Sequence, residues 1–165
     1  MAIFRVFFFL FLVVGSYLPS NAKAHIEQLF DEESTLDLSD SLYFLFETDY
    51  QLTISDVSRR RNDFLMHPHD NPNFGFHNNG MWLLTSVANV SNDKHWVFSI
   101  NFSQLDSVDF YLVQNGKVIK QSHQGKAQKE QRFRVPTFRV ELPDSDPVDL
   151  YIRIESRSSS LITPL

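Results

Sequence analysis

The sequence predicts an all-β protein, an antiparallel sandwich of short strands. Three observations carry that prediction. Beyond Gly80, apolar residues recur at every second position in run after run, the period of a strand with one buried face. Clusters of Asn, Asp, Gly, Ser and Pro separate the runs, and these residues favour turns. No amphipathic run long enough to cover a sheet lies between them, which argues against a doubly wound parallel fold.

Taken in order, the chain opens with an export signature. Arg5 precedes the apolar run Val6–Val14, Gly15, Ser16 and Pro19 break it, and Ala22-Lys23-Ala24 places small residues where a signal peptidase cuts. The run is far shorter than the roughly 20 residues that span a bilayer, so residues 1–24 are expected to be a signal peptide cleaved after Ala24. The remaining chain divides into a lead-in, residues 25–60, and a sandwich, residues 61–165. In the lead-in, Leu36–Asp40 alternates, Ser39 or Asp40 is placed to cap a short helix over Ser41–Phe46, and Thr53–Val57 forms another short element. Arg59-Arg60-Arg61 reads as a solvated loop, and residues 66–80 as a long loop.

Strands then follow: Met81 to Val90, His95 to Phe102, Val108 to Gln114, Lys117 to Gln121, Thr137 to Leu142 and Val148 to Ile154. Asn115-Gly116 is a strong two-residue hairpin signal, because both residues tolerate positive φ. Trp96, Phe98, Ile100 and Phe102 share one face and are expected in the core, as is Trp82. In the last full strand Val148, Leu150, Ile152 and Ile154 point inward, and Asp149, Tyr151, Arg153 and Glu155 outward. Leu161–Leu165 begins a further strand.

Composition narrows the function. The chain has 165 residues with 15 Lys and Arg against 20 Asp and Glu, a charge of −5, and no cysteine. Without residues 1–24, 13 basic residues face 20 acids, a charge of −7. Disulfides, thiolate metal sites and thiol nucleophiles are excluded. The acidic balance argues against nucleic-acid binding, which needs a basic surface. Sixteen Phe and only five Gly argue against disorder.

The search for chemistry finds no catalyst. His67, His69 and His77 lie near Asp70, but their spacing matches no ligand geometry, so no metal is expected; His95 and His123 stand alone. Asp109, Glu141, Asp149 and Glu155 are the acids that a glycosidase-like pair would draw on, and on the solvent face of a sandwich acids are ordinary. No nucleophile elbow, phosphate loop or dinucleotide fingerprint is present. A binding face is the better expectation. Trp82 and Tyr111 offer rings to stack on a sugar, and Arg132, Arg139 and Arg153 offer guanidinium forks to hydroxyls or carboxylates.

Several blocks in a fixed order resemble the type 2 extracellular domain of bacterial seven-transmembrane receptors with diverse intracellular signalling modules. They are Asn73-Phe74-Gly75-Phe76 with Met81-Trp82-Leu83, Val87–Asn92, Trp96–Ile100, Leu105–Leu112, Gln131-Arg132, Arg139–Pro143, Leu150–Ser156 and Leu161–Leu165, with Leu36–Asp40 and Leu52–Val57 as lead-in. The pattern departs from the family at Leu83-Leu84 and at Phe133.

The resemblance implies a periplasmic jelly-roll sensor similar to carbohydrate-binding modules. In the family such a domain precedes seven membrane helices and a kinase or cyclase output. It implies a non-catalytic domain without cofactor that binds a small carbohydrate-like ligand. The alternatives are a free-standing carbohydrate-binding module or enzyme accessory protein, a secreted enzyme with an acid pair, and a structural interaction module. This chain reaches Leu165 without a membrane span, and is therefore expected to be either one piece of such a receptor or a soluble binder.

Overall fold

The alternation does produce strands, but at the centre of the main sheet both faces are buried. The computed structural model describes residues 25–31, 35–48, 51–66, 79–102, 105–125, 134–144 and 146–156. Among them the strands are β1 (Ile26–Leu29), β2 (Tyr43–Phe46), β3 (Leu65–Met66), β4 (Met81–Asn89), β5 (His95–Ser99), β6 (Ser107–Gln114), β7 (Lys117–Gln124), β8 (Thr137–Glu141) and β9 (Val148–Glu155). One sheet runs β3-β2-β4-β9-β6-β7, with β1 beside β4, and a second pairs β5 with β8. All pairings are antiparallel except β1 with β4. β1 and β2 share one edge of β4: β2 takes residues 81–84 and β1 takes residues 86–89. The predicted all-β sandwich is the fold, built from sheets of very unequal width.

The small sheet packs on one face of the large one. Phe110 of β6 stacks on Phe138 of β8 with ring centroids 4.6 Å apart, and on Phe98 of β5 at 6.1 Å. Leu83, Val87, Leu150, Ile152 and Val140 fill the same core. The opposite face is covered by a short helix, α1 (Ile54–Arg59). Thr53 caps it with a full capping box: its hydroxyl accepts from the Asp56 N–H, and Asp56 accepts from the Thr53 N–H. Val57 and Leu52 pack there with Phe64, Trp82, Leu84 and Tyr151.

The hairpin at Asn115-Gly116 has both residues at positive φ, 50° and 73°, as its sequence requires. Four expectations are corrected. Ser41–Phe46 is no helix: a single 3-10 turn, Ser39–Ser41, leads into β2. Phe44 and Phe46 face the small sheet while Tyr43 and Leu45 face the helix side, a period of two that packing selects. Tyr151 and Arg153 are not outward-facing; they are 1% and 4% exposed beneath the helix side. Trp96 is only half-buried. Finally, Arg61 is not a solvated loop residue: its guanidinium donates to Asp149 at 2.5 Å and Ser86 at 2.9 Å, clamping the end of the helical segment to β4 and β9. The expected strand at Leu161–Leu165, the long loop over residues 67–78 and the signal peptide lie outside the described residues.

Phe110 is the centre of the aromatic stack and is fully buried. Phe110→Ala should cost about 3–5 kcal/mol, read as a lower urea midpoint. Val97→Thr, on the exposed face of β5, should stay within about 0.5 kcal/mol of the parent.

Candidate functional site

Two features stand out once the strands are in register. The first is a row across five strands on the helix side of the large sheet. Leu45 faces Trp82, Trp82 faces Arg153, Arg153 faces Asp109, and Asp109 faces His123. Glu47 extends the same face just past β2 and is buried with Arg153. The Arg153 guanidinium grips it with two parallel bonds, Nε to Oε1 at 2.7 Å and Nη2 to Oε2 at 2.8 Å. Oε1 also accepts from the Trp82 indole N–H at 2.8 Å and the Leu52 N–H at 3.2 Å. Arg153 donates further to Glu155, and Asp109 lies 3.8 Å from its Nη1 while meeting His123 Nδ1 at 2.6 Å. Tyr111 stacks on Trp82 with centroids 5.7 Å apart.

Burial pushes the Glu47 carboxyl up, but the bonds from Arg153, Trp82 and Leu52 and the charge of Arg153 outweigh it and hold the carboxyl below its ordinary value. Arg153 is held more firmly protonated than usual, chiefly by its bonds to Glu47. Gly80 closes the cluster. A Cβ there would collide with the Glu47 carboxylate and lie 2.8 Å from Arg153 Nη2.

The second feature is a cleft of about 340 Å³ on the other face, between the sheets. Among the described residues the narrow sheet leaves part of the wide one uncovered. Leu83 and Thr85 of β4 and Leu150 and Ile152 of β9 form its floor, Trp96, Phe98 and Ile100 one wall, and Leu36, Leu38 and Leu42 the other. Its mouth is a hydrogen-bonded knot joining the end of β1 to the β4–β5 turn. Asp31 accepts from the Ser91 hydroxyl, the Asn92 N–H at 2.8 Å and the Asn92 side chain at 2.8 Å. The Ser91 hydroxyl, chiefly, and the Asn92 N–H hold the Asp31 carboxyl below its ordinary value. The Trp96 indole N–H reaches Asn89 Oδ1 at 3.2 Å and the Asp93 carbonyl at 3.1 Å, which sets its ring on the rim.

The model of the 7TMR-DISM extracellular 2 family matches residues 39–165. The chain belongs to that family. It is thus an extracellular sensor domain of the receptor type. Comparison with curated proteins finds no match.

In this 7TMR-DISM domain the residues singled out by sequence part company. Trp82, Tyr111 and Arg153 come together, around a carboxylate that sequence reasoning passed over. Trp82 has no exposed surface and Arg153 is engaged by Glu47, Glu155 and Asp109. Arg139 lies apart, exposed on β8 of the small sheet. Arg132, like His67, His69, Asp70 and His77, lies outside the described residues. Asp109, Asp149 and Glu155 each face a cation, and Glu141 sits on the other sheet, opposite His95. Among the described residues no group of three metal-ligating side chains forms, and no helix is long and apolar enough to cross a membrane. The missed signal for Glu47 was parity: it continues the inward face of Tyr43 and Leu45, visible only once residues 43–46 are known to be a strand. The missed signal for the cleft was Trp96, in phase with the core but at the start of its strand.

Removing one partner of the buried pair leaves the other charged without its bidentate partner. Glu47→Gln should cost about 3–5 kcal/mol, and Glu47→Gln with Arg153→Met should recover part of that loss in a double-mutant cycle. Gly80→Ala should destabilise in the same direction by forcing the pair apart. Glu47 and Asp31 bind protons more weakly folded than unfolded. Their contribution is therefore complete above about pH 4.5, the unfolded range, and is lost as pH falls through the lower folded values. A urea midpoint that holds from about pH 7 to pH 5 and falls on further acidification is the expected profile. A midpoint that rises on acidification would contradict it.

Proposed function

We propose that this 7TMR-DISM domain is a non-catalytic, periplasmic ligand sensor, exported by a signal peptide removed after Ala24, and that its ligand is a small molecule held in the cleft between the sheets. The cleft is the single observation that carries the reading. Its volume, about 340 Å³, lies in the range of small-molecule sites, and its mouth presents an aromatic ring and polar groups above apolar walls. The carbohydrate expected from the resemblance would find ring-stacking surface at Trp96 and hydroxyl partners at Asp93 and His95, all at the mouth.

In this reading Trp82, Tyr111 and Arg153 are framework: they hold the large sheet rigid beneath the cleft. Arg139, outside the cleft lining, takes no part in this reading, and Arg132 keeps its expected role as a contact for a ligand's polar groups. Occupancy would favour one arrangement of the cleft walls over another, which is how a sensor passes binding on to membrane helices.

The two tryptophans make the test direct, because Trp82 is buried away from the cleft and Trp96 lies on its rim. A bound ligand should shift the fluorescence of Trp96 and raise Tm, and Trp96→Phe should remove the fluorescence response while leaving the Tm response in place. If a panel of sugars, amines, alcohols and carboxylates changes neither, the ligand-sensing reading fails.

A further inference from the structure

The lining of the cleft is specific enough to say what kind of molecule it holds, an inference that rests on the cleft being the sensor's site. We propose that the ligand is an amphiphile with an apolar body inside the cleft and a neutral or cationic head at its mouth. Leu38, Leu83, Leu150, Ile152, Phe98 and Phe138 present only carbon to the interior. Three of the lining hydroxyls are already matched: Thr85 Oγ1 with Ser41 Oγ at 3.2 Å, Ser99 Oγ with Thr137 Oγ1 at 3.3 Å, and Ser91 Oγ with Asp31; the fourth, Thr35, lies at the mouth. A sugar pushed inside would surrender water from several hydroxyls and find few partners. An apolar body gains there instead. Since a cavity of about 150 Å³ takes one benzene, this one takes about two fused rings or a chain of about ten carbons.

The head is set by charge. Asp31 and Asp93 stand at the mouth, and no lysine or arginine is among the described residues of the lining. Asp31 is occupied by Ser91 and Asn92. Asp93 lines the cleft and is largely exposed, its Oδ1 accepting the His95 N–H at 2.8 Å with His95 Nδ1 3.4 Å away. A carboxylate or phosphate head would meet acids and, among the described residues, no lysine or arginine to compensate. An ammonium or hydroxyl head would not.

The test uses the exported protein and the neutral fluorescent probe N-phenyl-1-naphthylamine. The probe is displaced by decylamine, decanol and decanoate below their aggregation concentrations, and by maltose. Two exposed residues supply the variants: Thr35→Trp to plug the mouth and Asp93→Asn to remove its charge. The probe should brighten on binding. Decylamine and decanol should displace it, decanoate about tenfold more weakly and maltose not at all. Thr35→Trp should weaken probe and chains alike, and Asp93→Asn should narrow the gap between amine and alcohol by about threefold. If maltose competes, or decanoate binds as well as the amine, and Thr35→Trp abolishes that binding, the amphiphile is wrong and the cleft stands. If nothing binds, or Thr35→Trp changes nothing, both the amphiphile and the cleft fall.

Discussion

The buried pair of Glu47 and Arg153 is the constraint on which the large sheet depends. The two residues are 106 positions apart in the chain, and their bidentate contact fixes the end of β2 against β9 across β4. A charged pair in such a place rarely adds net stability, because desolvation cancels much of the attraction. What it adds is specificity. Slipping β9 by one residue against β4 would swing Arg153 to the cleft side and leave Glu47 buried alone. The indole N–H of Trp82 and the amide of Leu52 fill the remaining acceptor positions of the carboxylate. Gly80 is part of the same constraint, since the site has no room for a Cβ beside the carboxylate.

The asymmetry of the sandwich follows from how each face is covered. On the helix side α1, Phe64 and the clamp of Arg61 on Asp149 seal the sheet. On the other side, among the described residues, two strands face a sheet of seven. The Phe98–Phe110–Phe138 stack seats them toward β6, and the segment that carries Leu36, Leu38 and Leu42 packs beside them on the floor formed by β4 and β9. The cleft is therefore what remains when a narrow layer is packed to one side of a wide one.

Much of this was legible in the sequence. β4 to β9 are all foretold by period-two runs between turn formers, and the hairpin at Asn115-Gly116 by its dipeptide. The strands that were not foretold are β1, β2 and β3, of four, four and two residues. Such short segments carry almost no intrinsic preference, and pairing with β4 decides their state. The outward reading of Tyr151 and Arg153 failed for a related reason: alternation distinguishes two faces, but not a solvent face from one covered by a helix. Of the candidate site, the rings and the guanidinium were visible and their partner was not, because Glu47 acquires its role only through residues 35 and 106 positions away. The cleft left only Trp96, near the start of its strand, as a trace in the sequence, since it is set by how far two sheets overlap.

These two features meet in β4, and the meeting decides which part of the domain can respond to an occupant. Leu83 and Thr85 line the cleft while Trp82 and Leu84, their alternates, are locked into the opposite core. Moving the floor would therefore strain the Glu47 cluster, whose bonds are short and whose surroundings are close-packed. The walls are held less tightly. β5 pairs with β8 alone among the described residues, and the segment over Thr35–Leu42 meets the large sheet through the Ser41–Thr85 hydroxyl pair and the packing of Leu36, Leu38 and Leu42, with no strand pairing. In the proposed reading, an occupant that needs more room would find it by shifting β5 and that segment, not the large sheet. Because the knot at Asp31 ties the end of β1 to the β4–β5 turn, such a shift would pull on the chain near His25 and leave the buried ion pair in place.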